Sequence, residues 1–519
     1  MLSFITTADL ELYTAWGYRM DATPLQYFKS PKEMGASVSS APLFLLLIIF
    51  LIFSAFFTWL FKKYVYRFVQ MKPADLSFAQ VAVSLFLAAF LFVPIRGGIQ
   101  KIPMNQSDVY FSEKLFADHA ALNLPWNIVF SILNKNSNVN PFHYFSKDKA
   151  RQLVAELYNT GPVKIPTILA VKKPNIIFII MESFTAKFVG CLGGEPGVTP
   201  NLDKIAAGGL LFTHIYAAGD RSEKGQVAVL SGYPNQAITS IIKTPTKTQK
   251  LSSITQSLEV EGYHTSYTYG GELEFANIKS YLVNVGFDRL VSKYSFPVAE
   301  RTTSWGVHDQ FVFNRFFEDI KNEPPPFFAT IFTLSSHEPY DVPMAPRFKG
   351  KDETTKFKNS VAYTDSCIGI FMSRLKNDPL WGNTLVVFVA DHGHPLPGHD
   401  PNDRPSKFHI PLIFAGGALK VKGVVTTMGS QTDIVTTVLD QLGISSRMFK
   451  WGKDLLDSSA HSFAFYNFNN GFGFVTPRGI VTLDNVSKKI IYQTGKTDSN
   501  SVNNGKAYMQ FSYQDFLNR

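Results

Sequence analysis

Two stretches near the start of the chain carry no charged residue. Ala41 to Leu60, APLFLLLIIFLIFSAFFTWL, and Leu76 to Ile95, LSFAQVAVSLFLAAFLFVPI, each run for twenty residues with apolar side chains at almost every position. About twenty such residues in a helix cover the roughly 30 Å hydrocarbon core of a bilayer. The pattern therefore predicts two membrane-spanning helices, with a pair of buried core helices as the weaker alternative. After the KKP at Lys172 to Pro174 the pattern changes. NIIFIIM, HTSYTY, PFFATIFTLSS, TLVVFVAD and PLIFAGG are short, rich in β-branched and aromatic residues, and apolar on both faces. Runs of this kind suit strands covered by helices on each side. Helical patches separate them, among them TPNLDKIAAGG, with Thr199 as the expected N-cap, Pro200 in the first turn and a glycine pair as the stop. Alternating strand and helix predict an α/β domain with a mostly parallel sheet. Beyond Lys450, GIVTLD and KKIIYQT lie among turn residues and predict a small antiparallel subdomain. No internal repeat is visible.

Charge orients the apolar segments. The loop FKKYVYRFVQMK between them holds Lys62, Lys63, Arg67 and Lys72 and no acid, so the positive-inside tendency places it in the cytoplasm and everything beyond Ile95 outside. Residues 1–40 then also lie outside, although they contain DLELY and SPKEM and no export signal of their own. A polar segment of that size crosses most easily behind an earlier span, so further spans upstream are expected. The divisions that follow are an external segment at 1–40, two spans at 41–95, a polar, Asn-rich juxtamembrane linker at 96–173 with a helical patch around SKDKARQLVAELY, an α/β domain at 174–449 and the tail at 450–519. A length of 519 residues exceeds one ordinary core, as this division requires. The net charge of +9 is spread along the chain with no single basic face. In an exported protein it points to anionic lipid headgroups, with no nucleic acid among the partners. Two cysteines, Cys191 and Cys367, are too few for a disulfide framework, and the sequence leaves their pairing undecided.

In an open α/β sheet, functional groups collect at the carboxyl ends of the strands. NIIFIIMESF ends in Glu182, and TLVVFVADHGH ends in Asp391 and His392. Singly, Glu182 could cap the next helix and Asp391-His392 could form a turn. Together, two hard oxygen donors and a nitrogen suit Mn²⁺, Mg²⁺ or Zn²⁺. The segment AAGDRSEKGQVAVLSGYPNQ supplies a fourth donor. Ser222, flanked by Asp220, Arg221, Glu223 and Lys224, sits where the strand-like LFTHIYAAG gives way to the helix-like EKGQVAVLSG. A helix N-terminus favours anions, which suits both an alkoxide and a phosphate. Ser222 is therefore either a cap or a nucleophile.

NIIFIIMESF, GVTPNLDKIAAGGLLFTHIYAAG, RSEKGQVAVLSGYP, SSHEPYDVP and VVFVADHGH, in this order over about residues 170–420, resemble the lipoteichoic acid synthase and sulfatase-like branch of the alkaline phosphatase superfamily. DLELY with the apolar segments resembles the amino-terminal part of the same membrane-anchored group. The resemblance implies an alkaline-phosphatase-like sandwich around a mostly parallel sheet. It implies a divalent metal, Mn²⁺ favoured over Mg²⁺ or Zn²⁺, held by Glu182, Ser222, Asp391 and His392, with Ser222 as nucleophile. It makes His337 a phosphate-contacting catalytic residue, where a structural histidine is the alternative. In TSWGVHDQ, Trp305, His308 and Asp309 fall near a headgroup pocket, where core packing is the alternative. Arg221 and Lys407 become candidates for steadying phosphoryl oxygens, although Arg221 could simply pair with Asp220. His394, His399 and His409 could form a second metal site, and His409 is also a candidate substrate contact.

Two departures narrow the implied chemistry. Serine stands where lipoteichoic acid synthases have threonine, which preserves the hydroxyl. Sulfatases proper build a formylglycine within a Cys/Ser-x-Pro-x-Arg signature, and Ser222-Glu223-Lys224-Gly225-Gln226 lacks both the Pro and the Arg. The resemblance thus implies a multi-pass enzyme of the cell membrane with its catalytic domain on the external or periplasmic side. Its reaction would be transfer of a phosphoglycerol-like headgroup from a phospholipid such as phosphatidylglycerol to a glycan or glycolipid. With water as acceptor it would be a phosphate or sulfate ester hydrolase, and a catalytically silent binding protein is the alternative from another class.

Overall fold

The computed structural model describes the chain apart from residues 17–18, 21–41, 67–76, 100–103, 105, 112–114, 134–138, 162–164, 470 and 486. Arg67 and Lys72 of the basic loop, the SPKEM segment and the outer ends of both apolar runs, Ala41 and Leu76, lie outside the described residues. Two compact units are present, Met1–Ser137 and Asn138–Arg519.

In the first unit, helix α1 (Leu2–Trp16) precedes α2 (Leu43–Tyr64) and α3 (Phe78–Phe90), the latter extended by a further turn to Arg96. At 22 residues α2 is about 33 Å long, enough to cross a hydrocarbon core. The 19 residues from Phe78 to Arg96 are similarly apolar. Neither helix has a buried residue, so their apolar side chains face outward, where water would penalise them. Among the described residues no third helix is long and apolar enough to span. A capping box starts α3: the Gln80 amide donates to Ser77 Oγ at 3.4 Å and the Ser77 amide to Gln80 Oε1 at 2.9 Å.

The second unit begins with α4 (Lys147–Leu157), an amphipathic helix that buries Ala150, Val154 and Leu157 from one face. Its sheet is formed by β1 (Asn175–Met181), β2 (Leu210–Tyr216), β3 (His264–Tyr269), β4 (Arg289–Val291), β5 (Phe327–Phe332), β6 (Thr384–Ala390), β7 (His409–Ala415), β8 (Gly423–Val425) and β9 (Gly429–Ser430). The order is β4-β3-β5-β1-β6-β7-β2-β8, with β9 also paired to β2. Every pairing is parallel except those of β7, which runs against both β6 and β2. All residues of β1, β5 and β6 are buried, and each large apolar side chain contributes about 1.5–3 kcal/mol. The uninterrupted apolar runs are thus the centre of the sheet.

The helices that flank the site are α5 (Pro200–Gly208), α6 (Ser222–Ser231), α7 (Asp309–Lys321), α8 (Glu353–Lys376) and α9 (Asp433–Leu442). Thr199 occupies the N-cap of α5 without capping it: its hydroxyl donates to the Phe188 carbonyl at 3.2 Å. The Asp365 carboxylate of α8 takes the cap's place, accepting from the amides of Asn201 at 3.1 Å and Leu202 at 2.9 Å.

The carboxyl-terminal region is an antiparallel sheet of β10 (Ala464–Phe468), β11 (Gly471–Thr476), β12 (Gly479–Asp484) and β13 (Ile490–Gly495), followed by a long helix, α10 (Ser499–Asn518), that the turn-rich sequence did not signal. Gln510 of α10 clamps the segment before α4, accepting from the amides of Tyr144 and Phe145 at 2.8 and 2.9 Å and donating to the Phe145 carbonyl at 2.8 Å. Cys191 and Cys367 are both free thiols.

A buried ion pair ties the segment before β10 to α9: Lys453 Nζ lies 2.8 Å from Asp433 of α9, the two side chains 3% and 2% exposed, and also donates to the Phe463 carbonyl at 2.9 Å. Removing the cation strands a buried carboxylate. Lys453→Met is expected to lower stability by about 3–5 kcal/mol in chemical denaturation, and a loss below about 1 kcal/mol would contradict that role for the pair.

Candidate metal centre and nucleophile

The register of β1 and β6 builds the site. Met181 and Ala390, their last paired residues, lie side by side, so the next residue of each strand, Glu182 and Asp391, emerges at the same point. The Asp391 amide donates to the Met181 carbonyl at 3.1 Å and the Glu182 amide to Thr333 Oγ1 at 2.9 Å. The hydroxyl of Ser336, two residues further on than Leu334, donates to the Glu182 carbonyl at 2.6 Å. Both acids are thereby fixed from the backbone outward. Glu182, Asp391 and His392 each offer a donor atom, and the three atoms lie within 4.8 Å of one another.

Each donor is oriented. Ser183, held at a φ of 58° in the left-handed region, bridges the acids: its amide donates to Asp391 Oδ1 at 2.8 Å and its hydroxyl to Glu182 Oε1 at 2.6 Å. Such a backbone conformation is sparsely populated outside glycine and is commonest at functional sites. The His392 ring donates from Nδ1 to its neighbour's carbonyl, Gly393 O, at 2.7 Å, which turns Nε2 toward Asp391 Oδ2 at 3.6 Å and Glu182 Oε1 at 3.7 Å. A histidine ligated through one nitrogen and anchored through the other has this arrangement.

The electrostatics expose a deficit of positive charge. Burial and the Glu182 charge push the Asp391 carboxyl up to about 8. Burial also works against ionised Glu182, but the neighbouring His392 and His337 overcome it and hold that carboxyl below its usual value. Burial likewise opposes the His392 cation, and the charges of Asp391 and Glu182 outweigh it, raising its pKa. Asp391 Oδ2 is buried with no hydrogen-bond partner. An orphaned carboxylate oxygen beside a second acid and an aimed imidazole fits a divalent cation.

Ser222 meets this cluster from β2. It is the first residue of α6, and Arg221, not Ser222, holds the N-cap position, where no side chain caps the helix. The Ser222 hydroxyl instead donates to Glu182 Oε2 at 3.1 Å and lies 3.4 Å from His392 Nε2. The approach requires a glycine one turn on, since a Cβ at Gly225 would sit 1.9 Å from the Asp391 carbonyl oxygen.

Other residues singled out in the sequence divide clearly. His337 is half-buried in the loop after β5, near enough for its charge to act on Glu182, with its Nδ1 donating to Glu338 O at 2.9 Å. Trp305 stands beside it, ring centroids 4.6 Å apart, and donates to Glu338 O at 2.7 Å. His308 does not face the site: it is 3% exposed, its Nε2 donates to Asp341 O at 3.0 Å, and its Nδ1 accepts from Thr302 at 2.6 Å. Asp309 is structural, accepting from the Leu334 amide at 2.8 Å and from Thr364 at 2.6 Å, and so fixes the loop that carries Ser336 and His337.

The three further histidines do not form a ligand group among the described residues. His409 donates from Nε2 to Thr213 O at 2.8 Å and stacks on Tyr216, which commits it to the β2–β7 pairing. His394 accepts from the Leu396 amide at 3.1 Å, packs on Phe357, and has its pKa lowered to about 3 by burial. His399 is exposed. Asp220 pairs with Lys224 at 3.3 Å, Arg221 is exposed, and Lys407 bonds Asn402. Lys187, unnoticed in the sequence, donates to the carbonyls of Pro395 and Pro397 at 2.7 and 2.8 Å and to Asp400 at 2.9 Å, pinning the loop that follows His392.

A family model described as Sulfatase matches residues 174–444. The chain is 25% identical over 348 residues to lipoteichoic acid synthase 1 of Bacillus subtilis, covering 62% of this chain and 53% of that protein. It is 24% identical over 307 residues to phosphoglycerol transferase I of Xanthomonas campestris, covering 56% and 43%. The chain thus spans about half the length of these relatives. Among solved structures, a protein in the alkaline phosphatase superfamily from Vibrio parahaemolyticus superposes with a TM-score of 0.66 at 28% identity, covering 74% of this chain and 98% of that one. The lipoteichoic acid synthase LtaP of Listeria monocytogenes shares the fold, with a TM-score of 0.60 at 19% identity over 72% and 99%.

A cation that binds only the folded protein adds about 2.7 kcal/mol at a hundred times its Kd. Mn²⁺ is therefore expected to raise the melting temperature of the metal-stripped chain. Asp391→Asn retains acceptors for the Ser183 and His392 amides and should fold, but should show no such rise. An equal rise in the variant would place the cation elsewhere.

Proposed function

The chain belongs to the sulfatase family, and from that premise we propose that it is a membrane-anchored, metal-dependent phosphotransferase. It moves a phosphoglycerol-like headgroup from a phospholipid, through a covalent intermediate on Ser222, to an acceptor in the cell envelope. The observation that carries this reading is the Ser222 hydroxyl at the start of α6, which donates to Glu182 within the buried group of acids.

Glu182, Ser222, Asp391 and His392 are the residues that would hold the cation, Mn²⁺ by preference and Mg²⁺ or Zn²⁺ otherwise. When bound, a divalent cation supplies positive charge that favours the ionised hydroxyl at neutral pH and offsets charge on the phosphoryl oxygens. Ser222 Oγ forms a bond to phosphorus while the bond to the diacylglycerol oxygen breaks, and that oxygen leaves with the electron pair and takes up a proton. His337, with Nδ1 bound to Glu338 O, has Nε2 in reserve to deliver this proton or to hold a phosphoryl oxygen. The amides of the first turn of α6 and the cations Arg221 and Lys407 favour the anion on the same side. Trp305, whose ring lies beside that of His337, is the candidate headgroup contact. An acceptor hydroxyl on a glycan or glycolipid then attacks the phosphorylated serine and restores Ser222, or water does so and the reaction is hydrolytic.

The relatives named lipoteichoic acid synthase and phosphoglycerol transferase support a phosphoglycerol donor. α2 and the segment from Phe78 to Arg96 anchor the chain, with Lys62 and Lys63 at the cytoplasmic end of α2 and the second unit outside. Anchoring keeps the site beside a two-dimensional pool of lipid.

The test is turnover of a fluorescent phosphatidylglycerol by the full chain in nanodiscs with Mn²⁺. Fluorescent diacylglycerol is expected, and EDTA should abolish it. Ser222→Ala should lower turnover by about three orders of magnitude or more while folded, and Ser222→Thr should retain appreciable activity because the hydroxyl remains. Near-normal turnover by folded Ser222→Ala would overturn the proposal. Release of glycerol phosphate in the presence of glycan would assign hydrolysis in place of transfer.

A further inference from the structure

We propose that Gln431 is a positioning residue whose side-chain amide fixes the Asp391 strand end against the loop that delivers Ser222. The inference rests on the reading of that site given above. Gln431 is wholly buried, between β9 and α9. Its Nε2 donates to two successive carbonyls at the end of β6, Ala390 O at 2.7 Å and Asp391 O at 2.6 Å. Its Oε1 accepts from the Ala218 amide at 2.9 Å. Only one orientation of the amide satisfies all three partners, because carbonyls need the NH₂ and the amide N–H needs the oxygen.

Ala218 is a fixed point of the nucleophile loop. Its carbonyl accepts from the Asn467 amide of β10 at 3.1 Å, and the preceding residue, Ala217, donates to Phe408 O at 2.8 Å. Three residues, Gly219 to Arg221, separate Ala218 from Ser222. On the far side of Ser222, Gly225 presses the first turn of α6 against the same Asp391 carbonyl oxygen. Gln431 therefore braces from below two groups that Gly225 brings together from above. An aliphatic side chain of equal size would leave two carbonyls and one amide unpaired, and a carboxylate would set negative charge against both carbonyls. Residues that orient metal-binding groups in this way commonly change metal affinity about 10–100-fold when replaced.

The test compares metal-stripped full-length chains by calorimetric titration with Mn²⁺, by amide exchange of the peptide spanning Ala217 to Ser222, and by turnover of fluorescent phosphatidylglycerol. Gln431→Met is expected to weaken Mn²⁺ binding about 10–100-fold, to speed exchange of that peptide before any metal is added, and to lower kcat with KM little changed. Ser430→Ala is the control. Its hydroxyl bonds only the Phe465 backbone, at 3.1 and 3.2 Å, so it loosens the same loop without touching Asp391 or Ala218 and should leave all three readouts near wild type. Should Gln431→Met fail to fold, Gln431→Asn retains an amide but is one carbon too short to span both sides, and the same losses are expected. Wild-type Mn²⁺ affinity and exchange in a folded Gln431 variant, or equal losses in Ser430→Ala, would overturn the positioning role alone. A wild-type chain that binds no Mn²⁺ would instead overturn the site itself, and this role with it.

Discussion

Glu182 and Asp391 are forced into the same small, buried volume by the pairing of two adjacent parallel strands. Met181 and Ala390 are matched in register, so the residue that follows each strand emerges at the same point. Both acids are buried, 2% and 0% exposed, and their repulsion is poorly screened at that depth. Much of the surrounding structure relieves this conflict. Ser183 donates to both carboxylates, His392 is turned to face both, and the Asp391 carboxyl rises to about 8. Such a pair of acids fits a divalent cation, and the Ser222 hydroxyl adjoins it, donating to Glu182.

The parts of this arrangement that were legible in the sequence are those where chemistry interrupts a regular pattern. Buried parallel strands read as unbroken apolar runs, so the acid that ends NIIFIIM and the Asp-His pair that ends TLVVFVA stand out against them. Ser222 was legible as the residue at a strand-to-helix junction, but its role there was not, because cap and nucleophile share that position. Its hydroxyl donates to Glu182, forty positions away in the chain, a partner that no local pattern reveals.

What was not legible depends on partners distant in the chain. Asp365 serves as the cap of α5 across 164 positions, where local rules pointed to Thr199. The resemblance made His308 and His409 candidate site residues, but each spends Nε2 on a backbone carbonyl, of Asp341 and Thr213, that no local pattern reveals. Helix α10 opens with SNSVNNG, a stretch that reads as loop, and it owes its structure to packing and to Gln510 rather than to propensity. Lys187 and Gln431 were not legible for the same reason: their partners lie in other segments, main-chain atoms for Gln431 and both main-chain atoms and Asp400 for Lys187.

The direct trial of Ser222 as carrier of the transferred group is peptide mass spectrometry of the full chain, quenched shortly after exposure to phosphatidylglycerol and Mn²⁺ without acceptor. A glycerol phosphate increment confined to the peptide containing Ser222 is the predicted result. Release of diacylglycerol with no increment on that peptide, or with the increment on another residue, would contradict a covalent mechanism through Ser222.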